Sequence, residues 1–242
     1  MYAVILAGGK GERLRPFTED RPKPMVEIAG MPILGHQIRW LHAQGVRHVV
    51  IACGYRHEVI EAYFGTGERF GVRIAYAVEE QPLGRGGGLR QALGRVPADV
   101  DTVIATNGDV ITDLPLAPLL EAHRARPVLA TVVLAPYVSQ YGLVEVDDHD
   151  RVTHFREKPE LPYWINAGIY VLASAIRDRL PERGDHETTT FPELARAGQL
   201  GAFKTRAYWR AVDTIKDVTS VTAELQGTAV DPASRGGAGD GR

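Results

Sequence analysis

Several features are scarce in this 242-residue chain, and each absence excludes a class of protein. The single cysteine, Cys53, excludes an intrachain disulfide and fits a reducing compartment; its apolar setting, HVVIACGY, predicts a buried structural thiol. A formal net charge of −2 argues against a general nucleic-acid binder. No apolar run approaches the ~18 residues that span a bilayer, and the first residues lack the charged region of a signal peptide. We therefore expect a cytoplasmic protein with no membrane and no nucleic-acid partner.

Short β-branched segments alternate with helical patterns through the first half of the chain. Strands are predicted at 2–8, 48–54, 73–80 and 102–109, and helices at 31–45, 56–65 and 88–96. This alternation predicts an α/β fold, Rossmann-like, with a mostly parallel mixed sheet and helices on both faces. Ligands of such sheets bind at the carboxyl ends of the strands, where the polar segments of this chain should converge.

The second half of the chain is less regular. Strands are predicted at 129–136 and 163–173, a hairpin at 142–159 with its turn at 148–150, a helix at 188–198, and a turn leading into a helix at 209–226. The folded domain is expected to span 1–226. The Gly- and Ala-rich tail, 227–242, is expected to be disordered and to carry no catalytic role.

The segment LAGGKGERLRP, residues 6–16, reads as a loop that holds a phosphate chain. Glycines let backbone N–H groups approach phosphate oxygens, and the guanidinium of Arg13 matches phosphate geometry. Downstream, Pro22 and Pro24 stiffen the backbone around Lys23, so that its ammonium can stabilise a phosphoryl transition state. The P-loop pattern is absent because Gly11 follows Lys10, and the dinucleotide G-x-G-x-x-G spacing is absent too.

These residues resemble the signature of the sugar-1-phosphate nucleotidylyltransferases, G-G-x-G-[TS]-R-L-x-P-[LF]-T followed by P-K-P. Glu12 stands where that family usually has Thr or Ser. The further motifs EEQPLGRGGGL, NGD, FREKP, INAGIYVL and VDTIKD recur in the family's order, so that the resemblance covers about residues 2–225. It implies a GT-A-like nucleotidyltransferase fold with a small sugar-binding subdomain, and the segment GLRQALG also resembles the mannose- and heptose-1-phosphate guanylyltransferases.

The resemblance assigns Mg²⁺ to two carboxylates. Asp109, in NGD, follows a predicted strand near the phosphate loop, where a hard cation can share its coordination shell with substrate phosphates. Asp213, in VDTIKD, corresponds to the family's second metal ligand, although the glycine that usually follows is missing. Taken without the resemblance, Asp109 could equally be a turn aspartate after Asn-Gly.

The remaining candidate residues also come from the resemblance. Lys158 is expected to hold the phosphate of the sugar, and Glu157, Asn166 and Gly168 to bind the sugar itself. By itself, REKP would more simply be a charged turn. The catalytic set is then Arg13, Lys23 and Lys158. The nucleotide-binding set comprises Leu6, Ala7, Gly8, Gly9, Gly11, Arg13, Glu79, Pro82, Gly84 and Asp109.

Glu79 carries the prediction of the base. A carboxylate can accept hydrogen bonds from the N1–H and N2–H₂ groups of guanine, whereas the edge of uracil or thymine has one donor. This favours GTP. Arg85, where the family usually has Thr, could reach phosphate or solvent. The eight histidines show no metal-ligand spacing and are predicted to lie on surfaces or helix faces.

The expected reaction joins an NTP to a sugar 1-phosphate, giving an NDP-sugar and pyrophosphate. Alternatives left open are another NTP (CTP, UTP, ATP or dTTP), a phosphorylated alcohol, cyclitol or pseudo-sugar phosphate as acceptor, and a non-catalytic regulatory subunit that binds an NDP-sugar. A homodimer is a further hypothesis, for which no sequence pattern gives support.

Overall fold

Residues 1–227 are described by the structure, a computed structural model. The tail predicted to be disordered lies outside the described residues, apart from Gly227. In the described range the strands are, in chain order β1 to β13, Tyr2–Leu6, Glu27–Ile28, Met31–Pro32, His48–Cys53, Arg73–Val78, Thr102–Asn107, Val110–Thr112, Ala130–Val138, Leu143–Val146, Val152–Arg156, Glu160–Ala173, Leu200–Lys204 and Trp209–Ala211. The helices α1 to α6 are Ile33–Ala43, His57–Phe64, Gly84–Leu93, Leu116–Arg124, Thr190–Arg196 and Ile215–Leu225.

Seven strands form the central sheet, in the order β12-β8-β11-β6-β1-β4-β5. Every pairing is parallel except those of β11, which runs antiparallel to both β6 and β8. The carboxyl ends of six strands therefore share one edge of the sheet with the start of β11. The hairpin β9–β10 forms a separate two-stranded sheet just before β11.

Helices cover both faces of this sheet because its central strands are apolar on both sides. In β1, Ala3 and Ile5 join a core with α1, α2 and α4, whereas Val4 joins the opposite core with α3 and α5. The predicted α/β fold is thereby confirmed. Cys53 is buried, and burial raises the pKa of its thiol to about 12, which fits the predicted structural role. Within residues 1–227, no helix is both long enough and apolar enough to cross a membrane.

The structure differs from the sequence predictions at several elements. Helix α3 begins at Gly84 rather than at residue 88. Helix α4 and the short strands β2, β3, β7, β12 and β13 were not predicted. The strand β12 (LGAFK) is a half-exposed edge strand with little hydrophobic alternation, and it is held by its pairing with β8.

A third, smaller core lies beside the central sheet. It joins Leu14 of the glycine-rich segment to Ile28, Ile111, Val212 and Val221. These residues come from the glycine-rich segment, the small β2–β3 pair, β7, the segment after β13, and α6. This cluster fixes the glycine-rich segment against the part of the chain that carries Asp213.

Candidate active site

The glycine-rich loop leaves the carboxyl end of β1 and is held down by its own backbone. Gly11 has φ of 70°, in the left-handed region, and a Cβ there would lie 2.7 Å from Cβ of Lys23. Its carbonyl accepts a hydrogen bond of 2.8 Å from the Thr18 hydroxyl, and Lys23 N donates to Gly9 O at 3.3 Å. Only glycine fits this contact, so the loop and Lys23 form one unit.

Lys23 lies between the two carboxylates that were predicted to bind metal. Its Nζ is 2.6 Å from Asp109 Oδ2 and 2.7 Å from Asp213 Oδ1, and its side chain is only 12% exposed. Arg13 approaches the same oxygen of Asp213 at 2.8 Å, from an exposed position. The structure therefore brings four predicted residues together from three distant parts of the chain.

A short antiparallel ladder explains how Asp109 and Asp213 meet. Strand β7 begins directly after Asp109 and pairs with β13, in a register that sets Val110 opposite Ala211. Val212 N also donates to Asp109 O at 2.9 Å. Asp109 lies directly before β7, and Asp213 lies two residues after the end of β13. The two carboxylates therefore meet at the same end of the ladder, although they are far apart in the sequence.

The turn after Asp213 has a local explanation as well. Thr214 caps helix α6 in a capping box with Asp217, whose Oδ2 accepts from the backbone N–H groups of Asp213 and Thr214 at 3.0 and 2.7 Å. This chain lacks the glycine that was expected after Asp213. The capping box supplies the sharp entry to the helix in its place.

Two cavities meet at this cluster. One, of about 310 Å³, is lined by Leu6, Gly8, Gly9, Lys23, Pro24, Ala52, Glu79, Pro82, Gly84, Arg85, Asn107, Gly108 and Asp109. The other, of about 440 Å³, is lined by Gly9, Lys10, Gly11, Glu12, Arg13, Lys23, Asp109 and Asp213. Both share Gly9, Lys23 and Asp109. Every residue of the predicted nucleotide-binding set except Ala7, whose side chain is in the core, lines one of the two.

Glu79 lines the first cavity. Its Oε2 accepts a 3.0 Å hydrogen bond from Leu83 N, and its carboxylate lies against the backbone of Gly54 and Gly88. Burial raises the pKa of the Glu79 carboxyl, and the hydrogen bond from Leu83 only partly opposes this effect. A half-buried carboxylate with no cationic partner among the described residues is costly unless a ligand donates to it.

The glycines of α3 pack against protein rather than against a ligand. A Cβ on Gly86 would lie 2.7 Å from Pro181 Cγ, one on Gly87 2.4 Å from Glu182 O, and one on Gly88 2.4 Å from Glu79 Oε1. Gly86 and Gly87 are therefore fixed by close packing against the segment 181–186. Gly84, which lines the cavity, has φ of 76° and also abuts the carbonyl of Gly184.

Arg85 is partly exposed and pairs with two carboxylates. Its Nε donates to Asp185 Oδ2 at 2.8 Å, and its Nη2 contacts both Asp185 Oδ2 and, at 2.7 Å, Glu187 Oε2. Burial opposes ionisation of Asp185, but the hydrogen bond from the Glu187 amide and the contact with Arg85 outweigh it, so that the pKa of Asp185 is lowered.

Glu187 links Arg85 to the predicted sugar residues. Its Oε1 accepts from Asn166 Nδ2 at 2.9 Å and from the Tyr170 hydroxyl at 2.8 Å. Asn166 Oδ1 accepts from Gly168 N at 2.9 Å, and Gly168 has φ of 68° with no room for a Cβ beside Asn107. Asn166 and Gly168 are therefore adjacent to the first cavity through Asn107 and Arg85, which line it.

Glu157 and Lys158 stand apart from these contacts. Both are exposed in the turn between β10 and β11, at the same edge of the sheet, and neither lines the two cavities. Lys158 has φ of 44°, an unfavourable conformation for a lysine. The role of this pair stays a prediction.

Sequence reasoning missed four residues of the site: Asn107, Tyr170, Asp185 and Glu187. Asn107 Oδ1 is buried and makes no hydrogen bond within residues 1–227, which leaves an acceptor at the cavity wall. Asp185 and Glu187 lie in an irregular loop, and only tertiary contact reveals their partners.

The prediction that histidines lie on surfaces or helix faces is wrong for His186, which is fully buried in a loop against the rings of Tyr170 and Phe191. Within the described range, no group of three or more His, Cys, Asp or Glu side chains could hold a metal ion.

The sequence is similar to curated guanylyltransferases. It is 39% identical over 98% of this chain to a mannose-1-phosphate guanylyltransferase of Mycobacterium tuberculosis, covering 68% of that protein. It is also 39% identical over 92% of the chain to a mannose-1-phosphate guanyltransferase of Yarrowia lipolytica, covering 63% of that protein. The chain therefore spans about two thirds of the length of these relatives.

Solved structures of other proteins share this fold. HddC from Yersinia pseudotuberculosis superposes with a TM-score of 0.75 at 26% identity, over 93% of this chain and 99% of HddC, and the same protein has been solved in complex with GMP-PN. A putative glucose-1-phosphate thymidylyltransferase from Bacillus anthracis, at 21% identity and a TM-score of 0.75, shares the fold over 96% of this chain and 97% of its own.

The family model described as nucleotidyl transferase matches residues 2–227, nearly all of the described chain. Together with the 39% identity to the mycobacterial relative, this match confirms the resemblance read from the sequence. The chain belongs to the nucleotidyl transferase family.

Proposed function

We propose that this protein transfers a guanylyl group from GTP to a sugar 1-phosphate, giving a GDP-sugar and pyrophosphate. Mannose 1-phosphate is the first acceptor to test, because it is named in both curated relatives. The observation that carries the proposal is the position of Lys23, in contact with Asp109 and Asp213, where two cavities meet.

The reaction requires positioning and charge neutralisation rather than a general base. A phosphate oxygen of the sugar phosphate attacks the α-phosphorus of GTP, the bond from this phosphorus to the bridging oxygen breaks, and pyrophosphate leaves with the electron pair. The nucleophile is already an anion. Lys23 stabilises the charge that builds on the α-phosphate, while Arg13 and the amides of the glycine loop hold the leaving phosphates.

The carboxylates fit a divalent cation. Asp109 and Asp213 both contact one ammonium, at 2.6 and 2.7 Å, so they already share a single positive charge. Oxygen donors suit Mg²⁺, which takes one or two carboxylates and completes its shell with phosphate and water oxygens. We therefore assign Asp109 and Asp213 as the residues that would hold Mg²⁺, which would supply further neutralisation of phosphate charge.

The first cavity suits the nucleoside and favours guanine. Glu79 presents its half-buried carboxylate there, and carboxylates accept well from paired N–H donors. Support also comes from HddC, a 26% identical protein solved with GMP-PN. Lys158 is proposed to hold the acceptor phosphate, and Glu157, Asn166 and Gly168 the sugar.

The test is pyrophosphate release from each of the four NTPs and dTTP against mannose, glucose and heptose 1-phosphates, with and without Mg²⁺. We expect release with GTP and Mg²⁺, and none after chelation of the metal. Release with another NTP alone would keep the reaction and overturn the role of Glu79. No release with any pair, together with tight binding of GDP-sugars by calorimetry, would replace the proposal by a non-catalytic binding protein.

A further inference from the structure

Arg85 and Glu187 form a polar pair between the nucleotide cavity and the residues proposed for the sugar. Arg85 lines the cavity, and its side chain is 45% exposed. Glu187 is 23% exposed and is bound on its other side by Asn166 and Tyr170. The pair therefore has one surface fixed in protein and another that a ligand can reach.

Counting hydrogen bonds shows which atoms are still available. Asn166 uses both amide hydrogens, on Glu187 and on the Tyr170 hydroxyl, and its Oδ1 already accepts from Gly168 N. Glu187 Oε1 accepts two hydrogen bonds. Within residues 1–227, Glu187 Oε2 has only an ion-pair contact, with Nη2 of Arg85, and Nη1 of Arg85 makes no hydrogen bond.

The free atoms are thus an acceptor lone pair on Oε2 and two N–H donors on Nη1, side by side in one ion pair. A sugar hydroxyl needs both an acceptor for its hydrogen and a donor for its oxygen. A phosphate would need donors only, and the carboxylates of Asp185 and Glu187 beside Arg85 disfavour a second anion here.

The positive charge of Arg85 also offsets the negative charges of Asp185 and Glu187. Without it, Asp185 and Glu187 would present two adjacent carboxylates to a site that must admit the phosphates of both substrates. Like charges in a partly desolvated site repel strongly. One guanidinium that contacts both carboxylates lowers this repulsion and fixes the rotamer of Glu187 at the same time.

We propose, given the proposed function, that Arg85 and Glu187 recognise one hydroxyl group of the sugar 1-phosphate and so determine acceptor specificity. Glu187 Oε2 accepts from the hydroxyl and Arg85 Nη1 donates to it. Asn166 and Tyr170 position Glu187 through its other oxygen.

The test compares mannose 1-phosphate with its set of monodeoxy analogues, at saturating GTP and Mg²⁺, in wild type, Arg85→Met and Glu187→Gln. Arg85→Met removes the donors and keeps the apolar stem, while Glu187→Gln exchanges one carboxylate oxygen for a group that cannot accept. In the wild type we expect one deoxy position to lower kcat/KM about tenfold or more, the usual value of a hydrogen bond to a charged group. In either variant this penalty should fall to about twofold, with KM for GTP nearly unchanged.

Arg151→Met is the matched control, because Arg151 forms an exposed ion pair with Asp147, at 2.9 Å, in the turn of the hairpin. It should keep the wild-type pattern of deoxy penalties. Arg85→Lys, which keeps the charge without the planar fork, should restore part of the selectivity.

A purely structural role for the pair would lower thermal stability and affect all acceptors equally, and unchanged deoxy penalties in both variants would overturn the proposal. A rise in KM for GTP instead of the acceptor would overturn it too. Should the wild type transfer no nucleotide, the proposed function fails, and calorimetric binding of mannose 1-phosphate and its deoxy analogues to the same variants still decides the role of Arg85 and Glu187.

Discussion

The two ends of the site are built differently. At the end proposed for the triphosphate, Lys23 is nearly buried and already paired with Asp109 and Asp213, and the loop beside it is fixed by Gly11. At the end proposed for the acceptor, Glu157 and Lys158 are exposed in a turn after an isolated hairpin. Lys23, the cation proposed for the α-phosphate, is preorganised by two ion pairs, whereas Lys158, the cation proposed for the acceptor phosphate, forms no ion pair within residues 1–227.

This difference predicts which substitutions will lower kcat and which will raise KM. A cation that is fixed before substrate arrives stabilises the transition state with little reorganisation, so its loss should lower kcat. A cation on an exposed turn gains its order only on binding, so its loss should raise KM. The predictions below test this division, from the largest expected effect to the smallest.

Lys23→Ala should lower kcat by about 10²–10³-fold, as for other fixed charge donors at a reacting centre. It leaves Asp109 and Asp213 facing each other, so we also expect a lower Tm in the absence of divalent metal and a partial recovery when Mg²⁺ is added. Steady-state kinetics and thermal unfolding with and without Mg²⁺ measure the two effects. Lys204→Ala, an exposed lysine on the edge strand β12, is the control. A kcat within a few-fold of wild type would remove Lys23 from the chemistry.

Lys158→Gln should raise KM for the sugar 1-phosphate by about tenfold, the usual loss for one charged hydrogen bond to phosphate, and change kcat much less. Stability should stay the same, because the side chain is exposed and no partner is found for it in residues 1–227. Initial rates with varied acceptor at saturating GTP give the split. An equal loss in kcat with an unchanged KM would show that the two ends are not divided as proposed.

Glu79→Gln should raise KM for GTP several-fold, roughly the cost of weakening a charged hydrogen bond to the base. Although binding of GTP weakens, the folded state of the Glu79→Gln variant should be more stable than that of the wild type near neutral pH. Burial raises the pKa of Glu79 in the folded state, so the native protein binds this proton more tightly than the unfolded chain, and ionisation costs stability as pH rises through that range.

The glutamine variant should therefore have the higher Tm near pH 7, and the difference should vanish below about pH 4, where the carboxyl is protonated in both states. Unfolding curves across this pH range, beside KM for GTP, test the pair of effects. A lower Tm for the variant at neutral pH would mean that Glu79 is retained for structure and not for a ligand.

Glu12→Thr should have the smallest effect. Glu12 is exposed, yet it lines the cleft that holds Lys10, Arg13 and Lys23. Removing this negative charge should lower KM for GTP about two- to threefold, in keeping with the weak coupling between exposed charges, and the gain should shrink in high salt because ions screen it. KM at two ionic strengths is the measurement. A rise in KM would show that Glu12 helps to bind the triphosphate.

Much of the fold could be predicted because its signals are local. The strands β1, β4, β5 and β6 are short apolar runs bounded by turn residues, and their alternation with helices implies the parallel sheet. The helix α3 was placed too late because glycine has poor helix propensity, and here it is favoured by packing against the segment 181–186. The edge strand β12 has no periodic pattern and exists through its ladder to β8.

By itself the sequence determined the α/β fold and its mostly parallel sheet, which follow from hydrophobic period and the alternation of strands and helices. Residue type and spacing singled out the glycine-rich loop and Lys23, whereas Asp109 and Asp213 were singled out through the resemblance to the nucleotidylyltransferases. Only the tertiary structure decided that one lysine neutralises both carboxylates, through the pairing of β7 with β13, and that Arg85 binds Asp185 and Glu187. Such pairs join residues 86 to 190 positions apart, and no local pattern encodes a contact between residues so distant in the chain.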